Sequence, residues 1–283
     1  MIFASDLDQT LIYSTRSMGL DGAEGSGLVM PAETKDGQVL SYFLTEMLPL
    51  LQAIAQEVHF IPVTTRTMEQ YNRIELFRDH IAPTYAVTSN GGNILVNGVR
   101  NEEWSTHIQK LIAASAAPAE EIKAIFDEVA STDWIHGERY CDELFFAYVI
   151  DRERMPTEQV SRAVERITAL GWKVSVQGRK IYLVPNEVSK SAALLHLKQQ
   201  LGATVVAASG DSLLDQCLLD AASHAIAPRH GELFRQEQRE PGNLAYTFTT
   251  HSGIMASQQI LDFVSTVMAE FKTAAAVERE ANV

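Results

Sequence analysis

Short apolar runs alternate with amphipathic stretches along most of the 283 residues, and that alternation admits few folds. The runs that read as strands are Ile2–Ser5, Phe60–Thr64, Tyr85–Thr88, Val205–Ser209, His224–Ala227 and Tyr246–Thr249. Between them, Phe43–Gln56, Met68–His80, Ala192–Leu201, Leu213–Ala222 and Ile254–Phe271 repeat apolar residues at intervals of three and four, the helical period. A parallel strand pair needs a long crossover, and helices supply it. The pattern therefore predicts an α/β protein with a doubly wound, mostly parallel sheet.

Two segments interrupt the alternation. Residues 15–41 carry Gly19, Gly22, Gly25 and Gly27, then a Lys35-Asp36-Gly37-Gln38 turn between Leu28–Met30 and Val39–Leu40, which reads as a glycine-rich loop leading into a hairpin. From 92 to 184, two helical stretches precede the strand-like runs Asp133–Tyr140 and Leu144–Ile150. A helix over about 157–170 follows, then Lys173–Val176 and Ile181–Val184 across a Gln177-Gly178-Arg179 turn. Antiparallel hairpins with helices make a small α+β unit. The predicted organisation is a core of residues 1–91 and 185–283 with 92–184 inserted into it. The stretch after Thr273 reads as a fraying helix end.

Composition limits the partners. A formal charge of -13 excludes broad capture of nucleic acid, which needs a basic footprint, while leaving room for a phosphorylated small molecule held by local cations. The two cysteines, Cys141 and Cys217, are too few for a disulfide framework and have no metal-ligand spacing, so they read as free thiols in a reducing compartment. Neither a secretory leader nor a membrane span is evident, which predicts a soluble, cytoplasmic protein without a membrane partner. Nothing in the sequence fixes the oligomeric state.

In open α/β sheets, ligands bind beyond the carboxyl ends of the strands. There the chain places Asp6, Asp8 and Thr10; Thr64, Thr65 and Arg66; Ser189 and Lys190; and Gly210, Asp211, Ser212 and Asp215. Singly, most have ordinary readings: Asp8 as a turn residue, Asp211, Ser212, Thr64 or Thr65 as helix caps, Lys190 as a solvated first-turn lysine. Asp6 resists that treatment, because a charge ending a buried strand needs a partner or a metal. Together the carboxylates are tolerable around a divalent cation, and Mg²⁺ suits a site of carboxylates and phosphate oxygens. Asp211 and Asp215 share a helix face if the helix starts early. Thr64 offers a hydroxyl and Lys190 a point charge to phosphoryl oxygens, and a carboxylate can attack phosphorus.

These residues resemble the motifs of the haloacid dehalogenase (HAD) superfamily of phosphatases. Asp6-Leu7-Asp8-Gln9-Thr10 is similar to its first motif, "FIPVTTR" with Thr64 to the second, Lys190 in "LVPNEVSKSAAL" to the third, and "ASGDSLLDQCLL" to the fourth. Order and spacing fit across roughly residues 1–225, and "TSNGG" at 88–92 resembles the turn before the cap of Cof-type members, which include sucrose-phosphate phosphatases. Two positions depart from the pattern: Gln9 replaces a common glycine, and Leu214 stands where many Cof-type members have asparagine. The 15–41 insert is also longer than the usual first connection.

The resemblance implies a Rossmann-like core with residues 92–184 as a cap, and a Mg²⁺-dependent phosphomonoester hydrolase acting on a sugar phosphate or similar metabolite. It implies Asp6 as nucleophile, Asp8 as acid and base, Lys190 and Thr64 on the phosphoryl group, and a metal held by Asp6, the Asp8 carbonyl and Asp211, with Asp215 behind. Thr65, Arg66, Asn90 and Gly91 are further candidates for substrate contact. A phosphomutase would use the same intermediate, and a catalytically silent phosphate-binding protein could share the fold. In such caps the residues facing the core choose the leaving group. The polar cluster His136, Glu138, Arg139, Tyr140, Asp142 and Glu143 and the turn residues Arg179 and Lys180 read as such elements or, more ordinarily, as solvated hairpin charges, and His251 reads equally as a residue near the mouth or as a structural histidine.

Overall fold

The computed structural model describes residues 1–20, 22–23 and 26–281. Gly25 of the glycine-rich run and the last two residues of the tail lie outside them. The chain enters through β1 (Ile2–Ser5) and the one-turn helix α1 (Thr15–Met18), then forms a hairpin of β2 (Val29–Lys35) and β3 (Gln38–Leu44). Helix α2 (Leu48–Glu57), β4 (His59–Pro62), α3 (Met68–Asn72) and a π-helical turn at Leu76–Ile81 lead to β5 (Tyr85–Thr88), β6 (Asn93–Val96) and β7 (Val99–Arg100). Next come α4 (Glu102–Ser115), α5 (Ala119–Asp127), β8 (Ile135–Cys141), β9 (Phe145–Ile150), α6 (Thr157–Ala169), β10 (Trp172–Gln177) and β11 (Lys180–Pro185). The chain closes with α7 (Lys190–Gln200), β12 (Val206–Ser209), α8 (Gln216–Asp220), β13 (His224–Ala227), α9 (Glu232–Arg239), β14 (Thr247–Phe248) and α10 (Met255–Ala281).

The central sheet has the order β14-β13-β12-β1-β4, every pair parallel. Ile2, Phe3 and Ala4 are wholly buried, as expected for a strand covered on both faces, and Phe3 lies between Ala207 and Phe60 in register. Apolar layers cover the two faces: Leu194, Leu197 and Leu218 belong to one, Leu51, Ile54, Ile260 and Val264 to the other. The strands converge with their carboxyl ends on one edge, which puts Asp6, Thr64 and Asp211 together.

The run Tyr85–Thr88 meets the parallel expectation on one side and departs from it on the other. Its bridge to the parallel sheet, Val63–Val87, is parallel, while its ladder, with β6, is antiparallel. Residues 93–100 thus pair with β5 as a three-stranded sheet. The expected helix Met68–His80 is likewise divided, because the chain leaves α3 at Arg73 and resumes as the π-helical turn.

A second sheet, β10-β11-β9-β8, is antiparallel. Its strands alternate strictly. Phe146, Tyr148, Ile150, Ile181 and Leu183 pack under α5 and α6 with Phe126 and Ile167, while Phe145, Ala147, Val149, Lys180 and Tyr182 line a cavity shared with the central sheet's carboxyl edge. Asp142, in the left-handed turn between β8 and β9, ties the two sheets together: its Oδ2 accepts from Met68 N at 3.0 Å, Asn93 Nδ2 at 3.2 Å and the Ser89 hydroxyl. Among the described residues, no helix is long and apolar enough to cross a membrane.

Candidate active site

At the end of β1, the Asp6 amide donates to Ser209 O at 2.9 Å, extending the β1–β12 ladder by one residue. The next five residues coil tightly, with the amides of Thr10, Leu11 and Ile12 all donating to Leu7 O. Leu7, Leu11 and Ile12 are fully buried, so the apolar residues of the turn anchor it while Asp8 and Gln9 face out; Thr10 is buried too, its hydroxyl donating to Asp6 Oδ2 at 3.3 Å. Gln9, at the apex, adopts a left-handed conformation with φ 62°. Its carbonyl accepts from His230 Nε2 at 2.9 Å, and His230 Nδ1 accepts from Gly253 N at 3.1 Å, which fixes the proton on Nε2. Burial lowers the His230 pKa and keeps the ring neutral.

Lys190 is 1 % exposed, so it is no solvated first-turn lysine. Its Nζ lies 2.7 Å from Asp6 Oδ1 and 2.5 Å from Asp215 Oδ1. The other Asp215 oxygen accepts from Ser212 N at 2.9 Å and from Ser212 Oγ at 2.7 Å. Helix α8 begins only at Gln216, so Asp211 and Asp215 do not share a helix face; a turn capped by Asp215 brings them together instead. Gly210 makes that turn close, since a Cβ there would sit 2.4 Å from Asp215 Cβ. Leu214, where many Cof-type members carry a fourth-motif asparagine, is buried in the apolar layer.

Carboxylate oxygens of Asp6, Asp211 and Asp215 all lie within 4.8 Å of one another. Burial above all, then the charge of Asp215, pushes Asp6 up to about 7, against the opposing pull of Lys190. The same causes raise Asp211 well above the carboxylate range. Lys190 itself is driven up: burial disfavours its charge, and Asp215 and Asp6 more than offset that. Asp211 is nearly buried, yet its side chain has no hydrogen-bond or ion-pair partner among the described residues. A buried carboxylate left without donors, beside a second one, is a donor set that suits a hard divalent cation. Asp215 is held through both oxygens by Lys190 and by two donors of Ser212, whereas Asp6 Oδ2 has only the Thr10 hydroxyl at 3.3 Å, which leaves Asp6 and Asp211 to offer carboxylate ligands.

Asp8 faces the cavity and is held by Arg66 in a fork, Nε to Oδ2 and Nη2 to Oδ1, both 2.8 Å. Desolvation pushes Asp8 up, but the Arg66 charge and hydrogen bonds win and hold it below its usual value. The third arm of Arg66 reaches Glu33, 2.5 Å away, and Glu33 also pairs with Arg73. Glu33 comes from the hairpin of the 15–41 insert and is 1 % exposed, so the insert reaches into the site as a structural strut.

Of the sequence candidates, Asp6, Asp8, Thr65, Arg66, Lys190 and Asp211 all line one cavity of about 870 Å³. Thr64 is fully buried one residue behind the lining, its Oγ1 accepting from Arg66 N at 3.1 Å. It is Thr67, in a capping box with Gln70, that caps α3. Asn90 and Gly91, expected as candidates for substrate contact, are buried too and do not line this cavity. Asn90 Nδ2 donates to Val188 O, and a Cβ on Gly91 would meet Ser189 O at 2.1 Å, so the turn seats the start of α7. His251 is an exposed residue whose amide donates to Gln259, and His230 takes the place at the cavity. Glu33, Arg73 and His230 had no local signal: each is remote in sequence from the motif it supports.

The family model for sucrose-6F-phosphate phosphohydrolase matches residues 1–251. The chain belongs to this family. The phosphatase is similar in structure to the sucrose-phosphatase of Synechocystis sp. PCC6803, determined with sucrose and phosphate, with a TM-score of 0.67 at 16% identity over 94% of this chain and 98% of that one. The HAD subclass IIB sugar phosphatase BT4131 aligns with a TM-score of 0.54 at 14% identity, over 96% of this chain and 98% of that one. Trehalose-6-phosphate phosphatase of Aspergillus fumigatus follows at 0.51 and 13%, over 95% and 92%. No curated protein matches the phosphatase by sequence. It is thus an HAD-type phosphoric monoester hydrolase, with the α/β core and separate antiparallel sheet of that fold.

Proposed function

We propose that the enzyme hydrolyses a phosphate ester of a sugar or similar small metabolite through an aspartyl-phosphate on Asp6, in the presence of Mg²⁺. The observation that carries this reading is the Asp6 carboxylate itself: buried at the end of a cavity wide enough for a disaccharide-sized ligand, paired with Lys190, and beside the unpartnered Asp211. Asp6 and Asp211 would hold the cation with the Asp8 main-chain carbonyl. Bound there, it supplies charge neutralisation of the phosphoryl oxygens and favours the ionised form of Asp6.

In the first half-reaction an Asp6 oxygen attacks phosphorus and the ester oxygen leaves with a proton. In the second, water attacks the acyl phosphate and gives up a proton. Asp8 is the group placed to supply the first proton and receive the second. In the geometry here it is an ionised carboxylate forked by Arg66, ready for the second step. Delivering a proton in the first requires Arg66 to move off, and Glu33 offers the guanidinium an alternative acceptor. Lys190 keeps the negative charges of Asp6 and the incoming phosphate apart, and Asp215 aims it.

This reading divides the chain into a catalytic core, 1–91 and 185–283, and a cap, 92–184, whose sheet faces the site. A cytoplasmic setting accords with the two free cysteines. The test is release of inorganic phosphate from a panel of phosphorylated metabolites with Mg²⁺. Asp6→Asn should lose at least about a thousandfold in turnover while melting as the wild type does, as expected when a covalent nucleophile is removed. Appreciable residual turnover would overturn the assignment, and phosphate returned to sugar without net release would make the enzyme a mutase.

A further inference from the structure

The cap sheet presents an unusual surface to the cavity. By the two-residue strand period, β8 turns Gly137 and Arg139 inward, β9 turns Ala147 and Val149, and β11 turns Lys180 and Tyr182. Register sets these in two rows across the sheet, Arg139–Ala147–Tyr182 and Gly137–Val149–Lys180. Two strand spacings of about 4.8 Å and a two-residue offset of about 7 Å along the strands put the Cα atoms of Arg139 and Lys180, on the outer strands of the trio, roughly 12 Å from one another. Ala147 between them is small, and a Cβ on Gly137 would meet nothing nearer than 3.8 Å, so the middle of this surface is open rather than filled.

Arg179, in the β10–β11 turn, lines the same cavity, and Arg235 of α9 lines it from the opposite side. The turn closes on α9 through Gly178 N donating to Glu232 Oε1 at 3.3 Å. None of Arg139, Arg179, Lys180 or Arg235 has a carboxylate within 4.0 Å among the described residues. By contrast, Arg66, Arg73 and Lys190 deeper in the cavity are all ion-paired. The nearby acids are committed: Glu138 pairs with Lys123, and Glu232 receives the turn. Lys180 rests over the Tyr182 ring and Arg235 donates to His230 O at 2.8 Å, but cations without an anionic partner, gathered over an open patch in a protein of net charge -13, are arranged to receive an anion from outside.

We infer that the leaving group of the substrate carries its own anionic group, a carboxylate or a second phosphate, which Arg139 and Lys180 bind with Arg179 and Arg235 beside them. This rests on the phosphatase reading and narrows its substrate class. A neutral sugar would leave those cations without an anionic partner, whereas a phosphorylated sugar acid or a bisphosphate supplies one.

Matched pairs test it: glucose 6-phosphate against 6-phosphogluconate, glycerol 3-phosphate against 3-phosphoglycerate, and fructose 6-phosphate against fructose 1,6-bisphosphate, with p-nitrophenyl phosphate as a generic substrate. The expected result is a kcat/KM at least about tenfold higher for the anionic member of a pair, the size of one charge-assisted hydrogen bond. The first two pairs report a carboxylate and the third a phosphate. Arg139→Gln and Lys180→Gln should each pull that ratio toward one, and Arg139→Lys and Lys180→Arg should retain most of it, with melting curves unchanged. Hydrolysis of p-nitrophenyl phosphate with a ratio of one or less in every pair would overturn this inference and leave the phosphatase reading standing. No hydrolysis of any of these substrates would overturn both.

Discussion

At the scale of single residues, the site is a set of paired constraints around Asp6, and Gln9 shows how far they reach. Gln9 carries a left-handed backbone that glycine adopts without penalty, yet the motif turn keeps its shape because His230 holds the Gln9 carbonyl and Leu7 gathers the amides of the turn. The hydrogen bonds that hold Gln9 in the turn are all through its backbone. Gln9→Gly should therefore leave kcat intact and stabilise the fold by up to about 1 kcal/mol, the left-handed penalty less the added chain entropy. That corresponds to a melting rise of roughly 2 °C for a chain of this size. A clear loss of stability or turnover in a melting and kinetic comparison would show that the glutamine side chain acts in its own right. The sequence made Asp6, Asp8, Lys190 and Asp211 legible, because each stands in a short stretch whose spacing is chemically telling. It could not disclose that Asp8 is forked by Arg66, that Glu33 stands behind Arg66, or that His230 supports Gln9. Those pairings join residues separated by 58, 33 and 221 positions, and only the fold brings them together.

At the scale of elements, strands such as Ile2–Ser5 and Val206–Ser209 were readable since burial on both faces leaves a run of apolar and small residues. The pairing of Tyr85–Thr88 was not, because four buried residues look alike whether their neighbour is parallel or antiparallel. Helix limits failed where side chains compete with the backbone: Asp215 caps Ser212 and delays α8 to Gln216. The turn between β5 and β6 is the element that joins the antiparallel sheet, the parallel sheet's edge and Lys190: Ser89 donates to Asp142, Asn90 N to Thr64 O, and Gly91 lies against Ser189 and Lys190. Ser89, Asn90 and Gly91 are all left-handed, with Gly91 at φ 102°, and they lie directly on the start of α7. In Gly91→Ala the new Cβ would meet backbone that cannot step aside, in a conformation that alanine disfavours. A loss of about 3 kcal/mol or more follows, and turnover should fall with it as Ser189 and Lys190 shift. Gly92→Ala is the control, since its Cβ meets the terminal methyl of Leu144, a side chain that can move. Urea unfolding of the two variants checks the contrast, and equal losses would refute the role given to the turn.

At the scale of the whole molecule, stability, pH and the metal are linked through the same carboxylates. Asp6 titrates near 3.8 when unfolded and is pushed up to about 7 by burial and by Asp215, and Asp211 is raised in the same direction. Between those values the folded protein binds a proton that the unfolded chain has released, so without a cation these groups contribute stability at acid pH and lose it as pH rises from about 4 to 7. A divalent cation binds the ionised carboxylates and removes the penalty, so its stabilisation should be small near pH 4 and grow across that window. His230 contributes the opposite slope, because its lowered pKa makes the folded state lose stability as pH falls below the ordinary histidine value of 6.5. That contribution is the same with and without metal and cancels in the difference. Melting temperatures measured with EDTA and with saturating Mg²⁺ across this range should therefore diverge with rising pH, and Asp211→Asn should flatten the divergence. A Mg²⁺ shift independent of pH, or one that survives Asp211→Asn unchanged, would place the cation elsewhere than between Asp6 and Asp211.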